Sequence, residues 1–278
     1  MTAADGPVTE AASLAPDPDS RLDVSVAHIA RVYNYWLGGK DHFAADRVAG
    51  EATIGVYPGI QQSARANRAF LARAVRYLAE TEGIRQFLDI GTGLPTANNT
   101  HEVAQATAPD SRIVYVDNDP LVLAHARALL TSTPQGATAY LDADLRDTGE
   151  ILGQAAGILD FGRPVAIMLI AILHYIPDLG EARDIVARLL AGVPAGSFLV
   201  VSHAGSDLFP DEIAAFEKNL NDHLPGGRHV ARPCAEVARF FEHTTLLTPG
   251  VVRVSEWRPD AADDAVVPTT LWGGLGRK

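Results

Sequence analysis

Phe87-Leu88-Asp89-Ile90-Gly91-Thr92-Gly93-Leu94-Pro95 is a short apolar run that breaks into a turn carrying two glycines. It reads as a strand delivering the chain into a tight loop, where glycine lets the backbone approach a ligand and adopt positive φ. Asn99, followed three residues later by Glu102, is a capping-box pattern and predicts a helix over Asn99–Thr107. Working outward, the unit repeats. Strands are predicted at Gln86–Ile90, Arg112–Asp117, Ala137–Ala143, Val165–Leu173 and Ser197–Ser202. Helices are predicted between them at Pro120–Leu130, Thr148–Ala156 and Gly180–Ala191. Val165–Leu173 is continuously apolar, as a strand buried on both faces should be. This alternation predicts a doubly wound α/β domain with a mostly parallel sheet. Further on, helices are expected at Pro210–Leu220 and Pro233–Phe241, a strand pattern covers Val251–Trp257, and Thr269–Leu275 could form a last strand.

The loop also restricts the ligand. The dinucleotide fingerprint requires a third glycine where this chain has Thr96, after Pro95, and the G-K-[ST] of a phosphate-binding loop is missing. A nucleoside-type ligand without phosphates fits better, and S-adenosylmethionine (SAM) or its product S-adenosylhomocysteine has that composition. Asp117, 26 residues after Gly91, ends the second strand, where a carboxylate can take both ribose hydroxyls. Asp119 precedes Pro120 and is read as a helix cap. After the third strand, Asp144 (with Asp142 as second choice) can accept from the adenine amino group, and the next backbone N–H, that of Leu145, can meet a ring nitrogen. The candidate cofactor contacts in these turns are Asp89, Gly91, Thr92, Gly93, Asp117, Asn118, Asp144 and Leu145.

Ahead of the first strand, Val26, Ile29, Ala30, Tyr33, Trp36 and Leu37 share one helical face, ended by Gly38-Gly39. Lys40–Gly59 reads as irregular or briefly helical, and Gln61–Thr81 as a long amphipathic helix with Arg65, Arg68, Arg73 and Arg76 opposite its apolar side. The aromatic, glycine-rich and polar run Tyr33–His42 predicts a lid over the cofactor, with Tyr33, Asn34 and Lys40 as candidate contacts. The chain thus divides into a disordered acidic tail (1–20), an N-terminal helical lid region (21–82) and a ligand-binding domain (83–278).

His174 and Tyr175 follow the fourth strand, at the sheet edge where open α/β folds bind ligands. They are the candidate catalytic pair, with His203 after the fifth strand as a second histidine. A base is needed only if the acceptor must lose a proton. The histidines show no metal-ligand spacing, and no metal is expected. A net charge of −11 argues against a nucleic-acid partner. The first twenty residues lack a signal-peptide pattern, and no apolar run approaches the roughly 20 residues of a membrane span. A cytoplasmic protein without a membrane or nucleic-acid partner is expected, its oligomeric state open.

With FLDIGTGLPT, VYVDNDP, DADLRD and the HYIP following the fourth strand, the chain resembles class I SAM-dependent methyltransferases of Rossmann-like fold. Arg31–Arg47 (RVYNYWLGGKDHFAADR) and Ala66–Arg76 (ANRAFLARAVR) extend the resemblance to an uncharacterised actinobacterial family of such enzymes. It is similar more weakly to leucine-carboxyl-type methyltransferases. That likeness implies that Arg68 or Arg65 holds the SAM carboxylate. Ala171-Ile172 departs from their pattern after the fourth strand, so carboxyl methylation is not implied. The implied activity is methyl transfer from SAM to a small-molecule acceptor. A non-catalytic SAM- or nucleoside-binding protein, or an NAD-dependent oxidoreductase, are the alternatives.

Overall fold

The computed structural model describes residues 23–129, 132–224, 228–260 and 267–278. The acidic tail expected at 1–20 lies outside them. Helices α1 (Ile29–Trp36), α2 (Ala44–Val56) and α3 (Ile60–Glu80) precede the sheet. Then β1 (Gln86–Ile90), α4 (Thr100–Thr107), β2 (Arg112–Asp117), α5 (Pro120–Leu129), β3 (Ala137–Asp142), α6 (Thr148–Ala155), β4 (Ala166–Ile170), α7 (Leu179–Ala191) and β5 (Phe198–Ala204) alternate. Helices α8 (Pro210–His223) and α9 (Cys234–Ala238), two-residue strands β6 (Thr245–Leu246) and β7 (Val252–Arg253), and β8 (Leu271–Arg277) follow.

The sheet order is β3-β2-β1-β4-β5-β8-β6, with β7 also on β8. β1 to β5 are mutually parallel, and β8 runs antiparallel to β5, β6 and β7. The order reverses between β1 and β4, and such a switch point opens a crevice at the carboxyl ends of the strands. Strand alternation supplies both faces. Leu88, Ile90, Val114 and Val116 pack with Ile185 and Leu189 of α7, while Phe87, Ile113 and Met168 pack with Phe70 and Val75 of α3. A third apolar cluster, Val32, Trp36, Tyr57, Ile60, Phe216 and Leu220, joins α1, the start of α3 and α8 into a separate small core.

Three expectations need correction. Lys40–Gly59 contains the 13-residue α2, started by the Asp46 carboxylate accepting from the Phe43 and His28 amides (2.7 and 2.9 Å). β4 is shorter than Val165–Leu173, because Ala171 turns to φ +54°, its amide shared between the Ser202 carbonyl (3.1 Å) and Ser202 Oγ (3.0 Å). Leu173–Tyr175 then forms a single 3₁₀ turn. The strand pattern at Val251–Trp257 shrinks to β7, and Trp257 is instead fully buried against Phe70 and Tyr77. Among the described residues, no helix is long and apolar enough to cross a membrane, and no group of side chains is arranged to hold a metal ion.

Candidate functional site

The β1 loop has the backbone that its two glycines permit. Gly91 and Gly93 lie at φ +76° and +63°. A Cβ on Gly91 would sit 2.5 Å from Ile172 Cγ1, so the close approach of the two loops also requires glycine there. The loop is clamped from β2: Asp117 Oδ2 accepts from the Gly93 amide (2.8 Å) and Oδ1 from the Asp119 amide (3.0 Å). Asp117 thus shapes the glycine turn, a role not anticipated in the sequence. Each oxygen keeps a lone pair for a further donor. Burial pushes the Asp117 carboxyl above the usual range, against the two amide bonds.

Asp89 lies beneath the loop, 4% exposed, and accepts from Thr100 Oγ1 (2.6 Å). Burial raises its pKa to about 6, opposed by the Thr100 bond and the Arg68 charge. Arg68 reaches across from α3. Its Nη2 donates to the Ala97 and Asn98 carbonyls and Asn99 Oδ1 (3.3, 3.0 and 3.4 Å), while its buried Nε has no hydrogen-bond partner among the described residues. An N–H left without an acceptor in a cavity wall is costly unless a ligand supplies one. Arg65 is exposed and does not line this wall.

Thr92 Oγ1 bonds Tyr140 Oη (3.3 Å), Asn118 is exposed at the rim, and Asp144 and Leu145 form the wall after β3. Asp144 accepts from the Arg146 amide (2.8 Å), and Asp142 points elsewhere. From α1 only Tyr33 of the three candidates lines the cavity. Its hydroxyl donates to the Ala64 carbonyl (3.2 Å) and accepts from Asn67 Nδ2 (3.1 Å). Asn67 Oδ1 accepts in turn from Ser202 Oγ (2.6 Å), tying α1 and α3 to the end of β5. Asn34 is buried and turned into its own loop, accepting from the Asp41 amide (3.1 Å), and Lys40 is exposed outside the wall.

These walls enclose one cavity of about 640 Å³, within the range of small-ligand sites. One end is the polar set of strand-end turns. The other is an apolar chamber of Trp36, Tyr57, Ile60, Ile213, Phe216 and Leu224, beneath α1 and α8. His174 and Tyr175 stand in the wall between them. His174 is 5% exposed, and its Nδ1 accepts from the Ala204 amide at 3.4 Å. Burial, reinforced by the neighbouring His229, His203 and Arg232, holds it well below the usual imidazole range. Burial pushes the Tyr175 hydroxyl far up. His203 lies outside the cavity, fixed between the Ala204 carbonyl and Arg232 Nη1 (both 2.8 Å). Sequence reading missed Asn67, Phe216 and His229, all of which line the cavity.

Residues 16–278 match the model of a family described as S-adenosyl methyltransferase. The fold is similar to that of a DUF574 family protein from Streptomyces avermitilis (TM-score 0.88, 44% identity, covering 93% of this chain and 100% of that one). A protein of Thermobifida fusca described as a candidate methyltransferase gives a TM-score of 0.83 at 40% identity, covering 96% of this chain and 99% of the other. An O-methyltransferase family protein from Burkholderia thailandensis shares the fold alone (TM-score 0.50, 14% identity, covering 88% and 63%). None of the curated proteins compared with the chain matches it.

Proposed function

The chain belongs to the S-adenosyl methyltransferase family and is a SAM-dependent methyltransferase, and on that premise we propose how its residues divide the work. When bound, SAM supplies a methyl carbon made electrophilic by its sulfonium. The residues present fit such a ligand: an orphaned arginine N–H suits a carboxylate, a glycine turn opens into the cavity, and three carboxylates ring its polar end. Arg68 holds the methionine carboxylate and Asp89 the ammonium end. Gly91, Thr92 and Gly93 give the methionine and ribose room. Asp117 and Asn118 take the ribose hydroxyls, and Asp144 with the Leu145 amide takes the adenine. Tyr33 closes the site from α1, and Asn34 and Lys40 act by shaping the lid turn. His174 and Tyr175 separate donor from acceptor, and their packing sets the alignment on which displacement at the methyl carbon depends.

The observation that carries this reading is the continuity of the cavity from the glycine turn to the apolar chamber beneath α1 and α8. A concave, largely apolar chamber of this size suits a small molecule better than a nucleic acid. With the donor an intracellular metabolite, the reading keeps the protein in the cytoplasm. Calorimetry with S-adenosylhomocysteine tests the assignment. Arg68→Lys, which keeps the charge but loses the guanidinium fork, should weaken binding by roughly 1.5–3 kcal/mol, as for a bond to a charged group. Unchanged affinity in both Arg68→Lys and Arg68→Ala would remove α3 from the cofactor site.

A further inference from the structure

Helix α8 carries Ile213, Phe216, Glu217, Leu220 and Asn221 on one face, at i, i+3, i+4, i+7 and i+8. Ile213 and Phe216 line the apolar chamber. Glu217 and Asn221 both hold His229. Asn221 Oδ1 accepts from the His229 amide (2.8 Å), and Asn221 Nδ2 donates to the His229 carbonyl (3.0 Å). Glu217 Oε1 lies 3.1 Å from His229 Nδ1 and also accepts from the Ala231 amide. The following amide, that of Val230, bonds the His174 carbonyl (2.8 Å). The imidazole, 3% exposed, therefore has a fixed backbone and a fixed ring, and it faces the cavity. With a carboxylate at Nδ1, the neutral ring carries its proton there and offers a lone pair at Nε2. Among the described residues, no hydrogen bond uses that Nε2.

We propose that the apolar chamber takes a small, ring-sized acceptor bearing a weakly acidic hydroxyl, and that His229, positioned by Glu217, is the base that removes its proton. This rests on the methyltransferase reading above. A neutral amine already has its lone pair free, and a carboxylate acceptor needs a cation rather than a base. The buried guanidinium nearest the chamber, Arg232, is consumed by the Leu173, Ile176 and Pro177 carbonyls and by His203 Nε2, and Arg228 is exposed at the rim. A hydroxyl is the acceptor that gains from an oriented imidazole. His174 is the less suitable base, because its Nδ1 lone pair already serves the Ala204 amide. In the transfer, an oxygen lone pair forms the new C–O bond as the methyl C–S bond breaks and its electron pair passes to sulfur. The hydroxyl proton moves to His229 Nε2, and Glu217 balances the resulting imidazolium. The products are a methyl ether, S-adenosylhomocysteine and a proton, released to water once the site opens.

The full chain, labelled SAM and a panel of naphthol, naphthylamine and naphthoate test the acceptor class. Phenol and pentafluorophenol, similar in size but far apart in acidity, test the base. Methyl ether from naphthol is expected. His229→Asn should slow turnover of phenol by about 10²–10⁴-fold, and of the already ionised pentafluorophenol far less, while affinity for S-adenosylhomocysteine is retained. Glu217→Gln, which keeps an acceptor for the Ala231 amide, should lower kcat on phenol with KM little changed, and Glu217→Asp should recover part of it. Equal losses on the two phenols, transfer only to naphthylamine or naphthoate, or no transfer with SAM bound would each overturn the proposal. Failure of the wild-type chain to bind S-adenosylhomocysteine would instead overturn the cofactor-site reading beneath it.

Discussion

Asp89 is a carboxyl group kept under the glycine turn with one strong donor, the Thr100 hydroxyl. Its folded pKa of about 6 lies above that of an unfolded aspartate, roughly 3.9. A raised carboxyl favours folding while protonated, so its contribution is present at low pH and is lost as pH rises through about 6. The shift corresponds to a cost on the order of 3 kcal/mol for ionising the empty site. Asp89→Asn should therefore make the ligand-free protein more stable above about pH 6 and change little below roughly pH 4, where the carboxyl is protonated in both states, as read by denaturant unfolding on either side of that window. A cationic ammonium at Asp89 would pull the carboxyl into its ionised form. Binding of S-adenosylhomocysteine near pH 6 should then release a proton, seen as a calorimetric enthalpy that changes with buffer ionisation heat, and Asp89→Asn should abolish the difference. At this scale the motif residues were legible because strand-end acids and paired glycines announce themselves by spacing. Asp117 was legible as a cavity acid but not as the clamp on Gly93, since nothing in a linear sequence says which amide a carboxylate will meet. His229 was not legible at all: its partner Glu217 lies on a helix twelve residues earlier, a spacing that belongs to no recurring pattern.

Helix α1 shows the same limit one level up. Its amphipathic face predicted the helix, and Asp119 was read as the cap of α5, which it is: Oδ1 accepts from the Leu121 amide (2.8 Å). Its other oxygen does more. Asp119 Oδ2 is 2.7 Å from His28 Nδ1 and 3.7 Å from Arg31 Nε, and the same Arg31 Nε is 3.6 Å from Asp46 Oδ1. A cluster of the buried Asp119, Asp46 and Arg31 with the half-exposed His28 thus latches α1 and α2 to the end of β2. Burial pushes Asp119 up, but His28, the Leu121 amide and Arg31 outweigh it and hold the carboxyl below its usual value. A depressed carboxyl contributes stability above its unfolded pKa and loses it as pH falls through the folded one. Asp119→Ala should cost more than the ~1 kcal/mol of a lost cap, because it also leaves Arg31 without its partner at β2. The excess should appear as faster hydrogen exchange in Ile29–Trp36, with exchange in β4 unaltered. Helix α2 escaped the sequence reading for a related reason. Two glycines and several β-branched residues give Ala44–Val56 a poor intrinsic helix signal, and its stability comes from packing on its neighbour α1 and on α8, which is remote in sequence.

At the level of the whole molecule, the parallel, doubly wound sheet followed from the alternation of apolar strands with amphipathic helices, but its strand order did not, because more than one order satisfies short connections and right-handed crossovers. The roof did not follow, because α1, α2 and α8 are held by one another through Trp36, Tyr57 and Phe216. That separation has a consequence for motion. The helices α1, α2 and α8 meet the sheet domain through small contacts: the Asp119 latch, the hydrogen-bonded chain from Tyr33 through Asn67 to Ser202, Ala30 against Leu94, Leu121 and Val122, and Ile213 against Ala204 and Ala231. Segments with few buried contacts open at lower free energy than the core. The turn after α1 is exposed at Gly38, at φ +81°, and Lys40, and is closed by the Gly38 and Gly39 amides on the Tyr35 and Asn34 carbonyls and by Asn34 Oδ1 accepting from the Asp41 amide. A Cβ on Gly39 would run into the Asn34 side chain and break that closure. If the turn closes over the donor, hydrogen exchange across Leu37–Phe43 should slow when S-adenosylhomocysteine is added, while Ala166–Ile170, buried on both faces, stays as slow as before. Gly39→Ala should raise exchange in the turn and weaken ligand binding, with little change in the unfolding midpoint, because the sheet core is untouched. Equal exchange of Leu37–Phe43 with and without saturating ligand would make the turn a fixed part of the roof, and the site would then have to fill through the rim beside Asn118.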